Sequence, residues 1–294
     1  MTTTTFSPKA SRYADKKLSF FGVVRSEFLK FRTLTTNWVM TGVLAVVVIG
    51  FAMLGGLFIN SMYKSALSAA EMEGLPAGSV DQSAATSFAN DVFSNGAVSM
   101  DMANMLIASI AVVFVASEYA TRSISTTLAT VPKRSMVFFA KLLMMSVYSF
   151  TLGFVLSLLG FFASYAILEP AIRDANPFEV GVLYNCLAVA AYFMMLAWMG
   201  IGFGALMRNN AGGIVLVVSC LFVLPIMFAL FAGGFEWATN MVPYMPNLLG
   251  HSMVAYEVAA DAKHNNLEAA GYLAIWCVVP AVLGYLRFRF TDSK

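Results

Sequence analysis

The chain has 294 residues, is 59% hydrophobic and only 12% charged, and has a mean hydropathy of +0.75 and a net charge of +2. Soluble domains average about 25% charged residues, so this composition excludes a soluble globular protein and indicates a polytopic membrane protein. Residues 1–17, with the Thr2–Thr5 run, read as a flexible cytoplasmic tail.

Residues 18–35, "LSFFGVVRSEFLKFRTLT", come next. On a helical wheel Phe20, Phe21, Val24, Phe28 and Phe31 share one arc of about 100°, with Ser26 and Lys30 opposite. Lys30 and Arg32 add basic character. The pattern predicts an amphipathic connecting helix lying on the membrane surface before the chain turns inward.

Six stretches are long enough to cross a bilayer, which takes ~20 mainly apolar residues. They fall at about 38–60, 97–117, 136–167, 179–206, 211–232 and 269–288. The first is far longer than the ~7–15-residue core of a secretory signal and is expected to remain as an anchor. Only Met207, Arg208, Asn209 and Asn210 separate the fourth span from the fifth, which predicts a tight hairpin. With the N-terminus inside, fifteen of the 18 Lys and Arg residues are cytoplasmic, and only Lys64, Arg173 and Lys263 lie outside. The expected topology is therefore N-in and C-in. The fold class is an all-α membrane protein with six transmembrane helices, residues 36–294 forming one domain.

The segments between the spans differ in character. Residues 61–95 are rich in small residues and read as an ordinary outer connector. "MVPYMPNLLGHSMVAY", about 241–256, is apolar but too short to span and is interrupted by Pro243 and Pro246. It predicts a re-entrant or interface-hugging helical hairpin. Between spans two and three lies "SEYATRSISTTLATVPKRSMVFFAK", from Ser117 to Lys141. Here about 118–132 can form a short helix, with Tyr119, Ile124, Leu128 and Val131 as apolar anchors and Ser and Thr hydroxyls elsewhere. Pro132 ends it, and the basic cluster including Arg134 returns the chain to the membrane. Glu118 and Arg122 have the spacing of an i,i+4 ion pair.

Catalytic motifs are missing. There is no GxxxxGK[ST] loop and no HExxH, and the two histidines, His251 and His264, lack zinc-ligand spacing. Gly200-Ile201-Gly202-Phe203 lacks the Asp an intramembrane aspartyl protease needs. The chain is therefore expected not to be an enzyme, to hold no metal or cofactor and to bind no nucleic acid. Cys186, Cys220 and Cys277 lie within spans and read as packing residues. The Gly200/Gly204 pair reads as helix packing. Asp101 reads as a boundary residue rather than an obligatory relay. A proton-coupled carrier would bury several paired charges, and the sequence displays none.

In order and spacing, nearly the whole chain resembles ABC-2-type (type V-like) permeases, especially those that look actinobacterial. The likeness rests on Glu118-Tyr119, Arg122 and Ile124, Thr127-Leu128-Ala129, Pro132-Lys133-Arg134 and Ala140-Lys141. It extends to "RSEFLKFRTLTTNWVM" at Arg25–Met40 and to the Pro243/Pro246 segment. The resemblance implies a permease subunit of an ATP-binding-cassette exporter in the plasma membrane, in a homo- or heterodimer of permeases. A separate subunit would bind ATP and Mg. It further implies that Glu118–Pro132 is a coupling helix seated in that ATPase, with Glu118 and Arg122 as polar contacts and Ile124 and Leu128 as apolar ones. No substrate residues follow from it. A self-sufficient secondary carrier and a non-transporting scaffold or immunity-type protein are the alternatives.

Overall fold

The computed structural model describes residues 19–72, 103–131, 133–175, 180–255 and 262–290. The tail at 1–17, Pro132, Asp101 and most of the connector before it lie outside the described residues.

Six helices are long and apolar enough to cross a membrane, and they define a multi-pass membrane protein. They are α2 (Thr35–Met72), α3 (Ala103–Ala120), α5 (Arg134–Ile167), α7 (Val180–Met207), the α8–α9 span (Asn210–Ala232) and α12 (Asn266–Phe290). Five of them match the apolar runs at both ends to within about six residues. The exception is α2, which continues as helix through Ser61–Met72, where the sequence reads as connector. That stretch carries three Ala together with Met, Leu, Lys and Glu, all good helix formers, and Tyr63 is buried beside Ile59, Leu168 and Ile172.

The helix preceding the first span, α1 (Phe20–Thr33), is present, and the stripe it buries against the bundle is not the Phe-rich arc of the wheel. Val23, Glu27 and Phe31 form its buried stripe, while Phe21 and Phe28 are 76% and 51% exposed. In a bilayer both sides of a surface helix can meet apolar material, so apolar residues alone do not mark the protein-facing side. Leu34 breaks the helix with one extended residue (φ −81°, ψ 106°) before α2. The freed carbonyls are taken up locally: Asn37 Nδ2 donates to Phe31 O at 3.3 Å and Trp38 Nε1 to Arg32 O at 2.9 Å.

The central helices are α3 and α7, and small residues let their backbones approach. A Cβ on Gly200 would sit 2.2 Å from Ala108 O, and one on Gly204 would sit 3.0 Å from Val112 O. On the other side of α7, a Cβ on Gly202 would meet the Pro280 carbonyl carbon at 2.3 Å, and one on Gly284 would meet Gly202 O at 2.4 Å. Helix α7 is thus clamped between α3 and α12. At the periphery α2 packs on α5 through Gly56 against Ser164 and Gly160 against Ala52. The three cysteines are free, two of them buried.

The α7–α8 hairpin turns on Arg208, in the left-handed region at φ 55°. The Asn209 side chain then caps α8 (Asn210–Val218) by accepting from Gly212 N at 3.2 Å. Within that span Ser219–Val223 forms a π-helical turn just before α9 (Leu224–Ala232), whose Pro225 has no N–H to donate.

After the fifth span come α10 (Glu236–Met241), a 3₁₀ turn (Val242–Tyr244) and α11 (Pro246–Val254). Pro246 opens α11 and is buried; Pro243 sits half-buried in the 3₁₀ turn. Helix α11 packs on α7 and α12, with Gly250 against the Tyr192 ring. Its last carbonyls are paired by asparagines: Asn185 Nδ2 with Val254 O at 2.5 Å, and Asn266 Nδ2 with Ala255 O at 2.9 Å and Met253 O at 3.2 Å.

Gly202→Val should therefore destabilise the fold by several kcal/mol, since overpacking against backbone cannot relax. Gly271→Ala, which meets open space, should be neutral. Thermal melting of the detergent-solubilised chain, followed by size-exclusion fluorescence, separates the two.

Candidate functional site

Lys and Arg residues gather at one end of the bundle, called here the basic end. There α1, α3, α4 (Ser123–Thr130) and α5 meet. Their junction is a cluster of four charged side chains. Lys141 Nζ donates to Glu27 Oε2 at 2.5 Å and to Glu118 Oε1 at 2.8 Å. Lys30 Nζ donates to Glu27 Oε1 at 2.7 Å, to Glu118 Oε1 at 3.1 Å and to Thr127 Oγ1 at 3.0 Å. Glu27 and Lys141 are buried to about 1% side-chain exposure. The cluster holds two carboxylates and two ammoniums, so it is neutral as a whole.

The donor count explains the geometry. An ammonium has three N–H groups. Those of Lys30 have three oxygen partners, and Lys141 adds the face of Phe114, 4.5 Å from its nitrogen, to its two carboxylates. Lys141 lies seven residues into α5, about 10 Å along it at 1.5 Å per residue. Burial alone lowers the Lys30 pKa, but the hydrogen bond to Glu27 and the charges of Glu118 and Glu27 outweigh it and hold it above its ordinary 10.5. Its ion-pair contribution is thus present below pH 10.5 and lost only as pH rises past the folded value.

A second layer of contacts fixes the same corner. Phe31 packs on Tyr148 with ring centroids 4.4 Å apart and on Phe114 at 5.5 Å. Tyr148 hydrogen-bonds Thr41 on α2. Each of α1, α2, α3 and α5 therefore contributes a side chain to one continuous patch.

The structure sorts the sequence-derived candidates. Glu118 is buried and bonds Lys141 and Lys30, which corrects both its expected i,i+4 pairing with Arg122 and its assignment as a surface contact. Arg122 instead occupies the left-handed turn before α4 (φ 57°) and is exposed. Ile124 is 4% exposed and Leu128 half-buried against the core, so both anchor α4 to the bundle instead of facing outward. Tyr119 receives the Arg208 guanidinium over its ring at 5.3 Å. Arg134 starts α5, partly exposed, and Arg32 is exposed on α1. Phe20 and Val24 are half-buried on α1.

The outward face of α4 carries Ser125, Thr126, Ala129 and Thr130. Between α4 and α1 a crevice of about 280 Å³ is lined by Ser19, Ser26, Glu27, Lys30, Thr127 and Thr130, among others.

Sequence reasoning missed Glu27, Lys141 and Thr127 as members of a site, and it missed that the chain buries paired charges at all. One signal was available: Glu27 is a carboxylate inside an otherwise apolar i,i+4 stripe with Val23 and Phe31. Among the described residues no group of three His, Cys, Asp or Glu side chains could hold a metal. Comparison with protein-family models and with curated proteins finds no match to the chain.

Lys141→Met should cost about 3–5 kcal/mol, because it leaves two buried carboxylates short of a counter-charge. Adding Glu27→Gln should recover part of that loss. Lys30→Met should cost less, since its side chain is 34% exposed. Melting temperatures of the purified variants give the order; equal effects for Lys30 and Lys141 would contradict it.

Proposed function

We propose that the chain is the membrane-spanning permease subunit of an ATP-binding-cassette exporter, resident in the plasma membrane with both termini cytoplasmic. A second permease, the same or different, would pair with it. Separate subunits would bind ATP and Mg and supply the energy for alternating access. The observation that carries this reading is the attachment of α4. It is a short helix with an outward hydroxyl face, and it is linked to α1, α3 and α5 through Lys30–Thr127 and the charged cluster. Force applied to that face would reach several helices at once.

On this reading α4 is the coupling helix. Arg122, Ser125, Thr126, Ala129 and Thr130 face the ATPase, while Glu118, Ile124 and Leu128 hold the lever to the permease. Helix α1 is the connecting helix. The α10–α11 segment is the re-entrant one, a reading supported by the contact of Gly250 with the ring tip of Tyr192, a residue twelve positions into α7. The bias of Lys and Arg toward the basic end supports the N-in, C-in topology.

One observation favours a second reading. A self-sufficient carrier requires buried, paired ionisable groups, and Glu27, Lys30, Glu118 and Lys141 provide them. Their placement at one end of the bundle, all within one contact cluster, weighs toward a structural joint and against a relay across the membrane.

Tagged protein from its native membranes should retain an ATPase subunit, and Thr126→Arg or Ala129→Arg should reduce that retention at least tenfold with membrane insertion unchanged. Retention of no ATPase, together with transport that responds to a proton gradient alone, would favour the carrier.

A further inference from the structure

The side of α1 turned away from the charged cluster forms, with α5, an open apolar groove of about 620 Å³. Phe21, Val24 and Phe28 make one wall, and Leu143, Val147 and Val155 the other; Met144, Tyr148 and Leu152 lie along its base. The volume lies in the ~300–1,000 Å³ range of small-molecule sites. Along α5 the groove runs from Leu143 to Val155, twelve residues or about 18 Å, close to half of the ~30 Å hydrocarbon thickness. Its length is that of one leaflet.

Its charge is asymmetric. Arg25 is the sole charged residue lining the groove. The Glu27–Lys141 and Phe31–Tyr148 contacts fix how α1 runs along α5, so Arg25, two residues before Glu27 and between Phe21 and Phe28, lies on the Lys141 side of the Leu143–Val155 wall, toward the basic end of the bundle. Among the described residues Arg25 has no ion-pair or hydrogen-bond partner. Its neighbours Glu27 and Lys30 point into the cluster and are neutralised there. The guanidinium is a bidentate donor suited to a phosphate.

We propose that this groove is a binding site for one anionic phospholipid, its acyl chain along α5 and its phosphate on Arg25. An anionic head at one end and an apolar chain of one-leaflet length match the groove's single cation and apolar walls. A transmembrane helix of a second copy would extend past one leaflet and would leave the cation unpaired.

Native mass spectrometry of the full chain in detergent tests this, with phosphatidylglycerol and phosphatidylcholine as probes. Wild type should retain one phosphatidylglycerol in preference to phosphatidylcholine, and excess inorganic phosphate should not displace it. Arg25→Gln should lower phosphatidylglycerol occupancy at least fivefold, and Arg25→Lys should restore much of it. Val147→Trp, at a position 60% exposed, should fill the groove and lower the occupancy of both lipids. Occupancy unchanged in Arg25→Gln would overturn the proposal, even if Val147→Trp failed to fold. So would displacement by inorganic phosphate, which would indicate a free-anion site. Efficient Val147→Cys cross-linking between two chains in native membranes would assign the groove to a second copy instead.

Discussion

Four charges that must stay together hold the basic end of this protein in place. Glu27, Lys30, Glu118 and Lys141 come from three helices, and two of them are almost fully removed from solvent. A single buried charge is expensive, whereas a neutral, hydrogen-bonded set is tolerable. The penalty for separating them therefore couples α1, α3 and α5: none can slide or rotate without exposing an unpaired ion to an apolar environment. The Thr127 hydroxyl brings α4 into the same constraint, so the direction of the short helix is set by the bundle itself.

The remainder of the bundle is held differently. Around α7, contact between backbones at Gly200, Gly202 and Gly204 replaces side-chain interdigitation, and the Asn185 and Asn266 amides close the end of α11. Apolar burial between helices contributes little net driving force in lipid, because the lipid tails are equally apolar. Close backbone approach and satisfied polar groups carry the specificity instead. The tight centre and the charged corner thus divide the work: one fixes the packing of α3, α7 and α12, the other fixes how the surface helices attach to it.

The spans were legible because a run of apolar residues is a local property, readable without knowing its neighbours. The α7–α8 hairpin was legible for the same reason: only four residues were available for the turn. The charged cluster was not, because Lys141 meets Glu27 across 114 positions and Lys30 meets Glu118 across 88. In sequence Lys141 looks like one more basic flank and Glu118 looks committed to Arg122. The wheel of α1 identifies an apolar arc but not the protein-facing stripe: Phe21 and Phe28 are exposed, and the buried stripe is marked by the carboxylate of Glu27. Ile124 and Leu128 were recognised as apolar anchors, but which body they anchor to is a tertiary question. The far end of α2 was missed because hydropathy falls after Ile59 while helix continues to Met72.

That last feature has a mechanical meaning. At 1.5 Å per residue, the 38 residues of α2 make a rod about 57 Å long, nearly twice the ~30 Å hydrocarbon layer. Its base is pinned at the Leu34 corner by Asn37 and Thr41, beside the charged cluster. Asn60 fastens the rod again at the end of α5, donating to Ile167 O at 2.8 Å and accepting from Glu169 N at 3.0 Å, so only the twelve residues beyond it, about 18 Å of helix, project past that second fastening. The helix is thus a strut fastened at both ends of α5, so an adjustment at the Leu34 corner is carried to the opposite end of the bundle and not absorbed along the way.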